Sequence, residues 1–188
     1  MERCGWVKPE NERYVVYHDQ EWGVPVHDDR HLFEMLILEG AQAGLSWETI
    51  LNKRDNYRVA FDYFDPKQVS RYSDEKIEQL MQNAGIVRNR LKIKATIKNA
   101  KVFMAIQEEF GSFDRYLWDY VDGKPIVNSF KTLSELPAKT ELSDRISKDL
   151  KKRGMSFIGS TIIYAYLQAV GVVNDHSVNC YRHREVML

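Results

Sequence analysis

The sequence predicts an all-α globule whose first and last segments meet. Three observations carry that prediction. Apolar residues recur at helical spacing along almost the whole chain. Only Pro125 to Val127 has the look of a strand. The two cysteines stand at opposite ends, each with a histidine companion, Cys4 with His18 and Cys180 with His176. A length of 188 residues suits a single unit with a sizeable core, and no repeat, low-complexity tract or linker divides it.

The elements follow in order. Asp28 and Asp29 open a helix that runs to about Gln42, with Leu32, Met35 and Leu36 on one face. Ser46 caps the next, which carries Trp47, Ile50, Leu51 and Tyr57. Asp65-Pro66 starts one short helical turn. Ser73-Asp74 opens a helix with Ile77, Leu80 and Met81, and Gly85 suits a left-handed position after its end. A long helix follows from about Asn89 to Glu109, with Ile93, Ile97, Ala100 and Met104 in phase, stopped by Gly111. Ser112 to Val121 reads as short helix, and Asp122-Gly123-Lys124-Pro125 as a turn. Thr140 to Arg153 is helical with Leu142, Ile146 and Leu150 inward, and Gly154 stops it. Gly159-Ser160 opens a last helix through Ile163, Tyr166, Leu167 and Val170, ended by Gly171.

Composition narrows function less than charge placement does. The formal net charge is zero, so the chain as a whole does not announce a polyanionic partner. Acids outnumber bases from Met1 to Gly40, whereas Arg88, Arg90, Lys92, Lys94, Lys98 and Lys101 form a run without acids. Lys148, Lys151, Lys152 and Arg153 form a second basic cluster. Such faces either meet phosphates or are simply solvated. No apolar run is long enough to cross a bilayer, and Met1-Glu2-Arg3 carries no apolar signal region. The expected residence is the cytoplasm, where reduced thiols suit a metal better than a disulfide.

Four groups of residues carry chemistry. Glu39 stands seven residues after Leu32, in phase with Met35 and Leu36, on the face that enters the core. A carboxyl there is paired with an arginine, protonated, or waiting for a cationic or hydrogen-bonding ligand. Gly40 and Gly44 leave a frayed helix end as the other reading. Tyr14, Tyr17, Trp22 and Trp47 gather around the same stretch. Rings beside a buried acid suit a flat cationic heterocycle, although ordinary aromatic core is commoner for any one ring. Residues Leu150 to Thr161 have the form of a helix-hairpin-helix, a basic helix, a glycine-bounded turn and a second helix. The free amides of such a turn position a phosphate without reading sequence. Finally, Cys4, His18, His176 and Cys180 match the ligand set of a closed, tetrahedral zinc site, structural because four ligands leave no open position. Two unrelated buried thiols, or one disulfide in a secreted protein, remain alternatives from spacing alone.

Met1 through Trp6, Tyr17-His18-Asp19 with Glu21 through Pro25, Leu38-Glu39-Gly40 through Trp47, and Val173-Asn174-Asp175-His176 with Cys180 resemble the 3-methyladenine DNA glycosylase I family, almost end to end. The resemblance implies an all-α helix-hairpin-helix DNA glycosylase of bacterial type, one unit over residues 1–188, with the hairpin at about 140–171. It implies one structural zinc on Cys4, His18, His176 and Cys180, joining terminal segments 1–24 and 172–188. It places Glu39, Tyr17 and Trp47, with Tyr14 and Trp22, around extruded 3-methyladenine. It places Gln42, Gly44 and Leu45 near the gap in the duplex. Lys151, Arg153, Gly154, Gly159, Ser160 and Thr161 become the phosphate clamp. Many members of the wider superfamily use an aspartate where Asn174 stands here, so a direct role for Asp175 is doubtful, and Asp175 is expected to support the metal-binding segment. The implied partner is double-stranded DNA containing alkylated purines, met by a monomer with no membrane. The implied reaction hydrolyses the N-glycosidic bond and leaves the strand uncut.

Overall fold

The structure is a computed structural model that describes residues 2–187. Met1 of the N-terminal motif and Leu188 lie outside the described residues. The chain begins with helix α1 (Glu12–Gln20), then α2 (Asp29–Gln42) and α3 (Trp47–Ala60). Short α4 (Pro66–Val69) and α5 (Asp74–Gln82) lead to the long α6 (Arg90–Phe110). Next come α7 (Phe113–Trp118), α8 (Glu141–Arg153), α9 (Ser160–Ala169) and α10 (Arg182–Glu185). Two two-residue strands, β1 (Ile126–Val127) and β2 (Val173–Asn174), pair in parallel, Ile126 opposite Val173.

The helix starts lie where the capping residues put them. Asp28, Ser46, Ser73, Asn89, Ser112 and Thr140 each accept a hydrogen bond from the amide three residues on. Helix α1 was not anticipated, because Tyr14-Val15-Val16-Tyr17 is a run of β-favouring residues. Capping by Asn11, whose side chain accepts from the Tyr14 amide, and docking against the core stabilise it as helix. Nor were β2 and α10 anticipated. Gly85 departs from its expectation. Helix α5 ends at Asn83 in extended backbone, and Gly85 has no left-handed φ. Its lack of a side chain instead admits Asn56, whose Cβ would lie 3.0 Å from an added Cβ.

Helix α2 is the centre of the molecule. Every residue from Leu32 to Ala41 is buried, and the helix packs against α3, α6, α7 and α9. A helix enclosed on all sides is a core element, so any polar group on it is forced indoors. Gly40 lets α2 approach the turn between α8 and α9, where an added Cβ would sit 3.0 Å from the Phe157 carbonyl. The two ends of the chain are also stitched together. The Tyr181 amide donates to the Glu2 carbonyl at 3.1 Å, and the Val26 amide to Val170 at 3.0 Å. At Gly171 (φ 72°) an added Cβ would lie 2.4 Å from the Val24 backbone, so only glycine fits this crossing.

Candidate active site and metal centre

Glu39 is 4% exposed, on a stretch of α2 that stays helical through Gln42. A frayed end is therefore excluded. No arginine reaches it either, and no described residue hydrogen-bonds its carboxyl. Burial alone pushes its pKa up to about 8. The carboxyl opens into a cleft of about 190 Å³ that Tyr14, Tyr17, Trp22, Gln42 and Trp47 also line. The rings of Tyr17 and Trp47 lie 5.3 Å apart, tilted by 46°. The Trp47 Nε1 is buried without a partner, and the Tyr17 hydroxyl is raised well above its ordinary pKa by burial and then by Glu39. All five residues expected around the heterocycle are thus brought together.

The cleft also has residues that the sequence reading did not place in it. Trp6 packs edge-on against Trp22 at 5.0 Å and Tyr14 at 5.4 Å, forming a second aromatic wall. Its position two residues after Cys4 was the available signal, since whatever fixes Cys4 fixes Trp6. Leu136, Ala165 and Gln168 complete the lining from distant parts of the chain, and nothing local marks them.

Beside the cleft, Gln42 through Leu45 turn from α2 into α3. Gly44 takes φ 77°, and Leu45 is left 42% exposed at the tip. Lys92, read from sequence as part of a basic face, fixes this loop instead. Its Nζ donates to the carbonyls of Ala41 at 2.8 Å and Ala43 at 2.6 Å, satisfying the helix end. Burial lowers its pKa. Arg90 of the same run pairs with Glu78, whereas Lys94, Lys98 and Lys101 are exposed.

Helices α8 and α9 pack against each other through the short turn between Gly154 and Gly159. Gly154 takes φ 108°, and Asn99 of α6 holds the turn through both the carbonyl and amide of Ser156, each at 2.9 Å. The Ser147 hydroxyl donates to the Ile158 carbonyl at 2.7 Å. Lys151 and Thr161 are exposed, and Gly154 and Gly159 flank the turn. Ser160 is occupied by Ser143 at 2.8 Å. Arg153 is occupied too. It pairs with Asp149 at 2.7 Å and with Glu109, and lies over the rings of Phe110 and Tyr116.

At the far side of Trp6, the ligand atoms of Cys4, His18, His176 and Cys180 lie within 4.8 Å of one another, all buried. Both cysteines are free thiols, so the disulfide alternative is excluded. The His176 Nδ1 is 3.4 Å from Cys4 Sγ and 3.6 Å from Cys180 Sγ, and His18 Nε2 is 3.4 Å from Cys180 Sγ. A tetrahedron with metal–sulfur bonds of about 2.3 Å and metal–nitrogen bonds of about 2.1 Å has nitrogen–sulfur edges of about 3.6 Å. The remaining ring nitrogens are already engaged, His18 Nδ1 with Asp19 at 2.7 Å and His176 Nε2 with the Trp22 carbonyl at 2.8 Å. This outer support orients imidazoles toward a metal. Cys180 is held well below the usual thiol range by hydrogen bonding from Cys4 and then from the two histidines, while Cys4 is pushed up by Cys180 and by burial. A divalent cation would let both ionise. The donor set therefore fits a closed metal site. Behind it, Asn174 donates to the His183 carbonyl and accepts from the His176 amide. Asp175 accepts from Asn128 and Gln168, each at 2.7 Å, and from Tyr164.

The cleft has the dimensions and aromatic walls to take one flat ring, with the exposed Leu45 on the loop beside it. Comparison with known proteins makes this specific. The family model described as methyladenine glycosylase matches residues 6–183, and the chain belongs to that family. It is 51% identical over 180 residues to DNA-3-methyladenine glycosylase 1 of Escherichia coli (strain K12), covering 96% of each chain. A crystal structure of 3-methyladenine DNA glycosylase I, 48% identical, superposes with a TM-score of 0.93 over 96% of this chain and 98% of that one. A second solved structure, a single-substitution variant of 3-methyladenine DNA glycosylase I in complex with 3-methyladenine, is 35% identical with a TM-score of 0.93, covering 96% and 97%.

Proposed function

We propose that this enzyme excises 3-methyladenine from alkylated double-stranded DNA, releasing the free base and leaving an abasic site in an uncut strand. The observation that carries the proposal is Glu39, a buried carboxyl without a partner on the wall of an aromatic cleft. Methylation at N3 makes the adenine of the nucleotide cationic. In the empty cleft Glu39 keeps its proton up to about pH 8, because burial disfavours the charged form. A cation beside it reverses that preference, so the carboxyl ionises as the lesion enters. An uncharged adenine offers no such compensation. Tyr17 and Trp47 stack on the base, with Tyr14, Trp22 and Trp6 as further walls.

Everting the nucleotide costs a few kcal/mol. In this reading Leu45, on the loop of Gln42 and Gly44, fills the space left in the stack. The turn amides after Ser156, at the start of α9, with Lys151 and Thr161, hold a backbone phosphate, and Arg153 braces α8 behind them. A cationic base is a good leaving group, so little acid–base help is needed. The bond from the sugar C1′ to the base breaks with its electron pair leaving on the base. Water adds to the oxocarbenium-like carbon and gives up a proton, and the DNA phosphates help to stabilise the developing positive charge. Among the described residues lining the cleft there is no lysine, which supports hydrolysis without a strand-cleaving step.

One zinc ion on Cys4, His18, His176 and Cys180 is inferred to be structural, joining segments 1–24 and 172–188 of a unit that works as a monomer over residues 1–188. Zinc supplies no chemistry to the cleft in this reading; it fixes the segment that carries Trp6. Chromatography of bases released from methylated DNA, run beside a zinc measurement, tests both halves. Wild-type protein should release 3-methyladenine and carry one zinc. Glu39→Gln should fold normally and lose about 100-fold in excision, roughly 2.7 kcal/mol of barrier. Unchanged excision in that variant would remove Glu39 from the site. Activity lost from a well-folded, metal-free Cys180→Ser protein would overturn the structural role of the metal.

A further inference from the structure

We infer that Gln168 is a specificity-determining residue of the cleft, reading the exocyclic amino group of the everted purine, and that Asp175 is the positioning residue that sets its amide. The inference rests on the base-excision reading above and refines it.

Gln168 of α9 lines the same cleft as Glu39. A glutamine side chain can present either a donor or an acceptor, and its surroundings decide which. Here they leave no choice. The nitrogen Nε2 lies 2.7 Å from Asp175 Oδ2. Asp175 is 2% exposed, and also receives Asn128 Nδ2 at 2.7 Å and the Tyr164 hydroxyl. A carboxylate only accepts, so turning the Gln168 amide over would set oxygen against oxygen in a buried place. The amide nitrogen is therefore committed to Asp175. No described residue donates to the side-chain oxygen, so on this inference it is the group offered to the base.

Together with Glu39, the cleft then offers acceptors from α2 and α9. An amino group on a purine has two N–H bonds and can satisfy both. A purine with a carbonyl in that place brings an oxygen toward the Gln168 oxygen and is rejected. Asp175, which touches no part of the base in this arrangement, would act only by preventing the amide from turning.

The test is binding of free bases, followed by quenching of tryptophan fluorescence. The two probes are 3-methyladenine and 3-methylhypoxanthine, which differ in having an amino group or an oxygen at the same ring position. Wild-type protein should prefer 3-methyladenine. Gln168→Met keeps the side chain's length and leaves Asp175 two donors, so it should fold. It should weaken 3-methyladenine about fivefold, the size of one lost hydrogen bond, and leave 3-methylhypoxanthine unchanged or tighter. In Asp175→Asn the amide is free to turn, and the ratio should move the same way. Equal weakening of both bases, or no change in either, would mean that Gln168 is only structural and would overturn the inference. So would a wild-type protein that binds both bases alike. A folded Asp175→Asn protein with an unchanged ratio would overturn the positioning role. Wild-type protein that binds neither base would overturn the inference alone, whereas failure to release 3-methyladenine from methylated DNA would take the excision reading down as well.

Discussion

Helix α2 carries two buried carboxyls five residues apart, and their surroundings are opposite. Glu34 is 8% exposed and receives Arg54 Nε at 2.6 Å and Arg58 Nε at 2.8 Å. Arg54 in turn reaches Glu21 at 2.6 Å. Glu39 is 4% exposed and receives no hydrogen bond among the described residues. The first is an ion pair completed by folding. The second has no counterpart among the described residues, and burial favours its protonated form. A buried acid is thus not in itself a sign of function; a buried acid facing a cleft with no partner is.

The comparison can be broken most forcefully from the Glu34 side. Arg54→Met leaves Glu34 with only the half-exposed Arg58, and leaves Glu21 with only His31 at 4.0 Å. Removing one member of a buried pair costs about 3–5 kcal/mol, and the expectation here is about 3 kcal/mol because Arg58 remains. Denaturant unfolding measures it. Excision per folded molecule should change far less than in Glu39→Gln. If the two variants behave alike, the distinction between the two acids fails.

A second effect sharpens the same contrast through pH. In the folded protein Glu39 holds its proton to about pH 8, whereas in the unfolded chain it gives it up near the ordinary 4.5. Between those values the folded state binds more protons, so rising pH costs stability. The contribution is whole below 4.5, is lost progressively up to about 8, and stays flat above. Wild-type stability should therefore fall relative to Glu39→Gln across that window, by on the order of a few kcal/mol. Melting curves of the two proteins at matched pH values would show it. Parallel curves would mean that the carboxyl is ionised, and so solvated or paired, in the free protein.

How much of this was legible in sequence follows from how local each signal is. Glu39 could be found because its phase with Leu32, Met35 and Leu36 is a property of one helix. The metal quartet could be found because cysteines and histidines are few, although only the fold shows that their donor atoms converge. Gln168, Ala165 and Leu136 carried no mark, since their meeting with Glu39 is made by packing α9 and a loop against α2. Lys92 was misleading for the same reason. In sequence it belongs to a charge run; in the fold its ammonium closes the end of another helix. Helix α1 was hidden by the β-favouring Tyr14-Val15-Val16-Tyr17, where tertiary contact overrides local preference.

The smallest expected effect is the most discriminating for the meaning of Glu34. If its network serves only to neutralise buried charge, removing both partners should restore most of what removing one destroys. In Glu34→Leu with Arg54→Met, the buried carboxylate is gone, the part-exposed Glu21 keeps only His31 at 4.0 Å, and the volume is kept. Such replacements of buried pairs are often neutral, so the double variant should lie within about 1–2 kcal/mol of wild type. A double-mutant cycle on unfolding free energies isolates the coupling between the two sites. Recovery would show that α2 needs no charge at Glu34, only the absence of an unpaired one. The same logic cannot be applied to Glu39, which has no partner within the protein to remove. In the proposed function its partner is the substrate, and the cycle that tests this pairs Glu39→Gln with a base that lacks the methyl-derived charge.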